Sequence, residues 1–338
     1  MPDSSQNTVE KAVLVAGASG FVGSHTVKLL LKQGRTVRVL LRKTSSTAAI
    51  ENLPVEIHYG DVLDPVSLQA AMTGCGTVFY SVVDPRFWLS DPRPLYRNNV
   101  DGLVNAMDAA LICKIERFIF TSTMGTLGLN PDAPVTEDTP FNWGDKASPY
   151  ILARLAAEKL FLEYCRDRGL PGVALCVANT YGPEDYQPTP HGKALWDVAS
   201  GKVKFALDSS APTVDIRDAA EAALLAEQYG KTGERYIIAN EFISNRAFFA
   251  LATAHCGMEP PRMIPRAAAY VLAWISETLC KALGRKDYVL NTDAVFLSNV
   301  FRELDSSKAR SELHWQPRPI QETLSDALTW YAQHDKTT

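Results

Sequence analysis

Short apolar runs alternate with stretches of helical periodicity through the first half of the chain. Ala12–Val15 reads as a strand and Phe21–Gln33 as a helix ended by Gly34. Thr36–Leu41 and Val55–Tyr59 read as strands, Pro65–Met72 as a helix and Thr77–Val82 as a fourth strand. A helix over Leu95–Ile112 and a strand at Arg117–Thr121 follow. Strands alternating with helices predict βαβ crossovers and an α/β fold built on a parallel, doubly wound sheet. A loop rich in Pro, Asp and Thr (Gly128–Pro149) leads to a long helix over Tyr150–Arg168. Gly169-Leu170-Pro171-Gly172 breaks that helix, and Val173–Val177 is another buried strand. Beyond Tyr181 the alternation loosens, with β-like pieces at Thr213–Ile216 and Tyr236–Ala239 among helices. No repeat or low-complexity linker separates the halves, so the second half is expected to pack directly on the first.

Composition narrows the class without changing this picture. The 338 residues are 46% hydrophobic and 21% charged, enough for a large core that needs no disulfide or metal staple. The net charge of −4 argues against nucleic acid as a partner, since phosphate binding calls for a basic surface. The six cysteines form no CxxC pair and no zinc-like spacing with His, and read as reduced thiols of a cytoplasmic protein. Met1–Glu10 is polar and resembles neither a signal nor a transit peptide. Ala267–Leu283 is the longest helical apolar stretch, but Glu277 and Lys281 interrupt it, so no transmembrane segment is expected. It reads as an amphipathic helix covering a pocket or core, with contact to a membrane surface as the alternative.

The strongest local signal is Gly17-Ala18-Ser19-Gly20-Phe21-Val22-Gly23, placed between a strand and a helix. Glycines there allow a tight turn and close backbone approach to a pyrophosphate, and the helix N-terminus offers unpaired N–H groups. The spacing is GxxGxxG, not GxGxxG. An acidic residue at the end of the second strand would bind the ribose 2′-hydroxyl of NAD, whereas cations accommodate a 2′-phosphate. Leu41-Arg42-Lys43-Thr44-Ser45 carries no carboxylate there, so Arg42 and Lys43 favour NADP(H), with NAD(H) as the alternative.

With these motifs in order, the sequence resembles the extended short-chain dehydrogenase/reductase family, also called the epimerase/dehydratase family, over nearly its whole length. Gly60-Asp61-Val62, Asn99 within Asn98-Asn99-Val100-Asp101-Gly102, and Phe120-Thr121-Ser122-Thr123 followed by Gly128 match its motifs. So do Ser148-Pro149-Tyr150 with Ala157-Glu158, Tyr181-Gly182-Pro183, Asp218-Ala219-Ala220-Glu221-Ala222 and Asp305-Ser306-Ser307-Lys308-Ala309. The resemblance implies a Rossmann-type sheet in residues 1–178 as the dinucleotide-binding domain. Residues 179–338 are then mainly a smaller substrate lobe, with some segments returning to the sheet. It implies that Gly17, Ser19, Gly20, Phe21, Val22, Gly23, Asp61, Val62 and Val177 hold the cofactor, with Asp61 on the adenine amino group. It also implies hydride transfer, with Tyr150 as proton donor or acceptor and a strand-end hydroxyl, Thr123 or else Ser122, holding the substrate oxygen.

One departure bears on this chemistry. The family motif is Tyr-x-x-x-Lys, and here Tyr150-Ile151-Leu152-Ala153-Arg154 puts arginine on the same helix face. Arg154 keeps the positive charge but is effectively never neutral, so it cannot join a lysine-type proton relay. Three readings stay open: a working enzyme, a slow or specialised one, and a cofactor-binding sensor without chemistry. Members acting on nucleotide sugars hold the diphosphate with cations, and here Ala211-Pro212 and Cys176-Val177 stand where Arg-Asp and Arg-Pro are common, although Lys193 and Arg217 could compensate. The candidate substrate lining, Phe87, Trp88, Trp143, Tyr181, Tyr186 and Trp196, suits a hydrophobic ketone, aldehyde or alcohol. The pattern is most similar to the dihydroflavonol reductase and 3β-hydroxysteroid dehydrogenase-like branch, with a nucleotide-sugar epimerase or dehydratase as the alternative. Family members often dimerise through two long helices, which here would be Leu95–Ile112 and Tyr150–Arg168, so the resemblance, and not the sequence itself, is what suggests a homodimer.

Overall fold

The computed structural model describes residues 11–86, 91–283 and 292–334. Its first half runs β1 (Ala12–Ala16), α1 (Phe21–Lys32), β2 (Val37–Leu41), β3 (Glu56–Tyr59), α2 (Pro65–Met72), β4 (Cys75–Tyr80), α3 (Arg93–Tyr96), α4 (Gly102–Ile112), β5 (Arg117–Thr123), α5 (Pro149–Arg168) and β6 (Gly172–Val177). The second half runs β7 (Asn179–Tyr181), α6 (Pro190–Ala199), β8 (Phe205–Leu207), β9 (Ser210–Asp215), α7 (Ile216–Tyr229), β10 (Arg235–Ile238), β11 (Glu241–Ser244) and α8 (Asn245–His255). It closes with β12 (Arg262–Ile264), α9 (Arg266–Ala282), α10 (Thr292–Val300), α11 (Ser307–Glu312) and α12 (Ile320–His334).

β1 is buried on both faces, which is why it reads as a continuous apolar run. Val13 and Val15 join one core cluster and Leu14 and Ala16 the other, so successive side chains feed opposite layers. The layers flank a seven-stranded sheet of order β10-β6-β5-β4-β1-β2-β3, in which every pairing is parallel. Chain order reverses between β1 and β4, and ligands of open α/β sheets bind outside the strand ends at such a switch point. β10, from the second half, is the outermost strand beside β6. A three-stranded sheet (β11-β9-β7) and a two-stranded one (β12-β8) build the remaining lobe with α6, α8, α9, α10 and α12.

Three features depart from the expected element pattern. The helix expected over Leu95–Ile112 contains a π turn at Arg97–Asp101 between α3 and α4. In the Gly128–Pro149 loop, Val135 bridges to Leu304 and Trp143 is buried. The short strands β7, β8, β11 and β12 lack a sequence signature, having only three or four residues each. Among the described residues, no helix is long and apolar enough to cross a membrane. All six cysteines are free thiols.

Candidate active site

The glycine turn sits at the switch point because only glycine fits it. Gly17 has φ of +92°, and a Cβ there would lie 2.7 Å from the Ser81 carbonyl carbon at the end of β4. A Cβ at Gly23 would strike the Gly17 carbonyl oxygen, so the first turn of α1 packs directly on the glycine turn. Gly20 is the N-cap of α1 and contributes no side-chain cap, and no acidic residue occupies the first turn. The leading amides of Phe21, Val22 and Gly23 are therefore left for an external anion. Half-buried Ser19 lies between the glycines, and its carbonyl accepts a hydrogen bond from Gln187 Nε2 at 3.0 Å. Glu184 accepts from Lys28 Nζ at 2.6 Å, so residues 184–187 form a strap over α1 and the glycine turn.

Arg42 and Lys43 follow β2, exposed and without an ion pair to any described residue. Asp61 follows β3 and closes an Asx turn, its Oδ1 accepting from Leu63 N at 2.9 Å, while Oδ2 accepts from no described residue. Buried Val62 packs against Gly102, where a Cβ would stand 2.8 Å from its Cγ2. Asn99, inside the π turn, accepts from Asp84 N at 2.9 Å and donates to Asp84 O at 3.1 Å, clamping the loop after β4. The Asp84 carboxylate takes Arg86 Nε at 2.7 Å and Asn98 Nδ2 at 2.8 Å. The Arg86 guanidinium above all holds that carboxyl below its usual range.

Tyr150 stands in the first turn of α5, whose N-cap Ser148 accepts from Ile151 N. Its ring is half-buried in an apolar cluster with Trp143, Ile151, Val300, Phe141, Phe296 and Phe301. The hydroxyl makes no hydrogen bond to any described residue. Burial raises its pKa; the Arg154 charge pulls the other way and the Asp84 carboxylate reinforces the rise. One turn along, Arg154 is 2% exposed. Its Nη2 donates to Thr121 O at 2.5 Å and its guanidinium lies 5.1 Å from the Phe120 ring centre. Nε and Nη1 have no hydrogen-bond partner among the described residues, and no carboxylate pairs with the charge. A buried cation with two unused donors has an incomplete shell. Hydroxyls of a bound nucleoside would complete it. Together with the uncapped α1 this makes the residues present a fit for a dinucleotide.

β5 separates the two candidate hydroxyls. Thr123 closes the strand, half-buried, its Oγ1 accepting from Gly125 N at 3.2 Å. Ser122 points to the opposite strand face, where its hydroxyl donates to Glu158 Oε2. Glu158 also accepts from Thr126 Oγ1 at 2.8 Å and from Arg235 Nη1 at 2.7 Å, and Arg235 donates onward to the Glu137 carbonyl. Ser122 is thus occupied in a buried network joining α5, β5, β10 and the loop that carries Trp143. Sequence reading noted Glu158 only as part of a motif and missed Arg235, whose partner lies 77 positions away with no local pattern to announce it. Val177 closes β6 opposite Thr123 in register.

The aromatic set is divided. Trp143 lies with Tyr150, its Nε1 donating to Leu127 O at 3.0 Å. Tyr181 packs on Phe248 at 4.8 Å and Trp196 stacks on Tyr331 at 5.9 Å, both within the separate lobe core. Tyr186 is exposed against Trp330. Phe87 and Trp88 lie outside the described residues.

Comparison with known proteins agrees with this geometry. Residues 13–239 match the NAD dependent epimerase/dehydratase family. A putative dihydroflavonol 4-reductase of Synechocystis sp. is 31% identical over 326 residues, 95% of this chain and 94% of that protein. Sterol demethylase protein B of Methylococcus capsulatus is 28% identical over 323 residues, 95% of this chain and 98% of that one. The crystal structure of gox2253 superposes with a TM-score of 0.88 at 33% identity, covering 97% of this chain and all of that one. The chain therefore belongs to the NAD-dependent epimerase/dehydratase family, the extended short-chain dehydrogenases/reductases, and is an NAD(P)-dependent oxidoreductase.

Proposed function

We propose that this chain is an NADP(H)-preferring reductase of a hydrophobic ketone or aldehyde, or the dehydrogenase of the corresponding alcohol. The observation that carries the reading is the unpaired, buried Arg154 guanidinium one helical turn from the unbonded Tyr150 hydroxyl. Nicotinamide, when bound, supplies or accepts the hydride. Everything else falls to the chain. The first amides of α1 bind the pyrophosphate, Arg42 and Lys43 meet the 2′-phosphate, and Asp61 Oδ2 accepts from the adenine amino group. Arg154 Nε and Nη1 donate to ribose hydroxyls. Thr123 Oγ1 donates to the carbonyl oxygen and holds it in line. Tyr150 gives its phenolic proton to that same oxygen as the hydride reaches carbon, so one hydride and one proton convert carbonyl to alcohol.

Two observations support an apolar substrate over a nucleotide sugar. Tyr150 shares one apolar cluster with Trp143, Phe141, Phe296 and Phe301. The cations that could replace the missing diphosphate ligands are engaged: Lys193 with Asp197, and Arg217 with both Asp215 and Asp326. The test is NADPH and NADH oxidation against a panel of aryl and alicyclic ketones and aldehydes, with Tyr150→Phe as control. Turnover with NADPH favoured, abolished by Tyr150→Phe, is expected. Turnover confined to UDP- or dTDP-sugars overturns the substrate class. Cofactor binding with no turnover of either set overturns catalysis and leaves a dinucleotide sensor.

A further inference from the structure

The outward side of α9 carries a set of side chains that a globular surface does not normally leave bare. Val271, Leu272, Trp274, Ile275, Leu279 and, just past the helix, Leu283 are all exposed, Trp274 at 63% and Leu283 at 72%. Exposed apolar side chains scattered singly need no explanation, but a contiguous helical face of them marks a contact surface. Two polar residues of the helix are bonded within the protein. Thr278 Oγ1 donates to Trp274 O within the helix, and Glu277 is turned toward α10, accepting from Thr292 Oγ1 at 3.0 Å.

The chemistry of the face selects its occupant. A protein interface carries roughly one hydrogen bond per 100–200 Å². From Val271 to Leu279 this face offers no side-chain donor or acceptor apart from the indole N–H and the self-bonded Thr278. A hydrocarbon phase needs none, and Trp is a residue that sits at its polar boundary. Cations stand at the N-terminal end, where lipid phosphates would lie: Arg266 opens the helix and Arg262 lies on β12. Both are exposed, and neither pairs with a carboxylate among the described residues. The helix has 17 residues and does not span a bilayer, so it would lie in the interface plane.

We propose that the outer face of α9 docks on an anionic lipid bilayer. The inner face links that surface to the site. Ala269 and Ala273 pack on Val295 of α10, and Phe296 and Val300 of the same helix belong to the apolar cluster that Tyr150 packs in. On the reading that the substrate is an apolar carbonyl, the α9–α10 pair separates the bilayer from the reacting centre and offers such a molecule a route that avoids water.

The experiment is co-sedimentation of the full chain with phosphatidylcholine vesicles, with and without phosphatidylglycerol, at low and high salt. It is run without substrate, so its outcome is independent of turnover. Binding to the anionic vesicles, reduced by salt, is expected. The Ile275→Glu/Leu279→Glu variant should bind about tenfold more weakly or worse while keeping its melting temperature and cofactor affinity. Absence of binding to either vesicle overturns the proposal. So does a dimer in light scattering that the same variant converts to monomer without any vesicle binding, which would assign the face to a second copy of the chain.

Discussion

Replacing Arg154 by methionine separates ligand recognition from fold stability, because the structure sets the two in opposition. Arg154 is a cation 2% exposed with no carboxylate partner. Holding an ion in such a place costs several kcal/mol. Against this stand one hydrogen bond to Thr121 O, worth about 1.5–3 kcal/mol for a charged donor, and the contact with the Phe120 ring, worth about 0.5–2 kcal/mol. The terms nearly cancel, so methionine, similar in length and apolar, should leave the unliganded protein as stable as before or raise it by about 1–2 kcal/mol. The dinucleotide, in contrast, loses the two donors that have no other use. A loss of about 1.5–3 kcal/mol corresponds to a Kd raised about 10- to 100-fold. Calorimetry without ligand and NADPH fluorescence titration measure the two effects separately. Arg154→Lys should retain most of the affinity and preserve or raise activity. The reasoning fails if Arg154→Met lowers unliganded stability by more than about 2 kcal/mol and leaves the NADPH Kd unchanged, since Arg154 would then be a structural residue.

Gly23→Ala forces a methyl into the Gly17 carbonyl, 2.7 Å from its carbon, and overpacking against backbone costs about 1–3 kcal/mol; a lower melting temperature and weaker NADPH binding are expected, and an unaltered titration contradicts the packing argument. Glu158→Gln leaves the Arg235 guanidinium short of its counter-ion and should destabilise by about 3–5 kcal/mol. Adding Arg235→Met should recover part of that loss, and a double-mutant cycle in urea that comes out additive would show the pair to be uncoupled. For pH, Tyr150 as proton donor must be protonated, so carbonyl reduction is present below its pKa and lost above it. Burial raises that pKa, which places the falling limb above the ordinary phenol value of about 10. The kcat/KM for reduction should be flat in the hydroxyl's titration across neutral pH while alcohol oxidation rises with pH; a decline in reduction between neutrality and pH 9, traced to Tyr150, contradicts this.

The parallel sheet was legible because its inner strands β1, β4 and β6 are buried almost throughout and read as continuous apolar runs, although the edge strand β3 is mostly exposed. β1 and α1 fall within a residue or so of their expected limits, and the glycine turn lies where the spacing required. The hydroxyls on β5 were harder. Strand alternation says that Ser122 and Thr123 face opposite ways, but not which way the helix carrying Glu158 lies. Only the fold shows Ser122 bonded to Glu158. Aromatic residues were the least legible. Trp143 and Trp196 look alike in sequence, yet one packs beside Tyr150 and the other stacks on Tyr331 in the lobe core. The π turn at Asn99 was equally silent, since five helical residues read the same in either winding.

The position of β10 constrains how such a chain can be remodelled. All six residues of β6 are buried and its outer edge is covered by a strand that arrives more than fifty residues later. A fragment ending at residue 178 would bare that edge and offer it to any other unpaired strand, inviting aggregation. A C-terminal half exchanged for another must therefore bring a strand that pairs with β6 as β10 does, Arg235 opposite Ala174 and Ile238 opposite Val177. Exchange of the segments between β6 and β10 alone, with both strands kept, leaves that pairing intact.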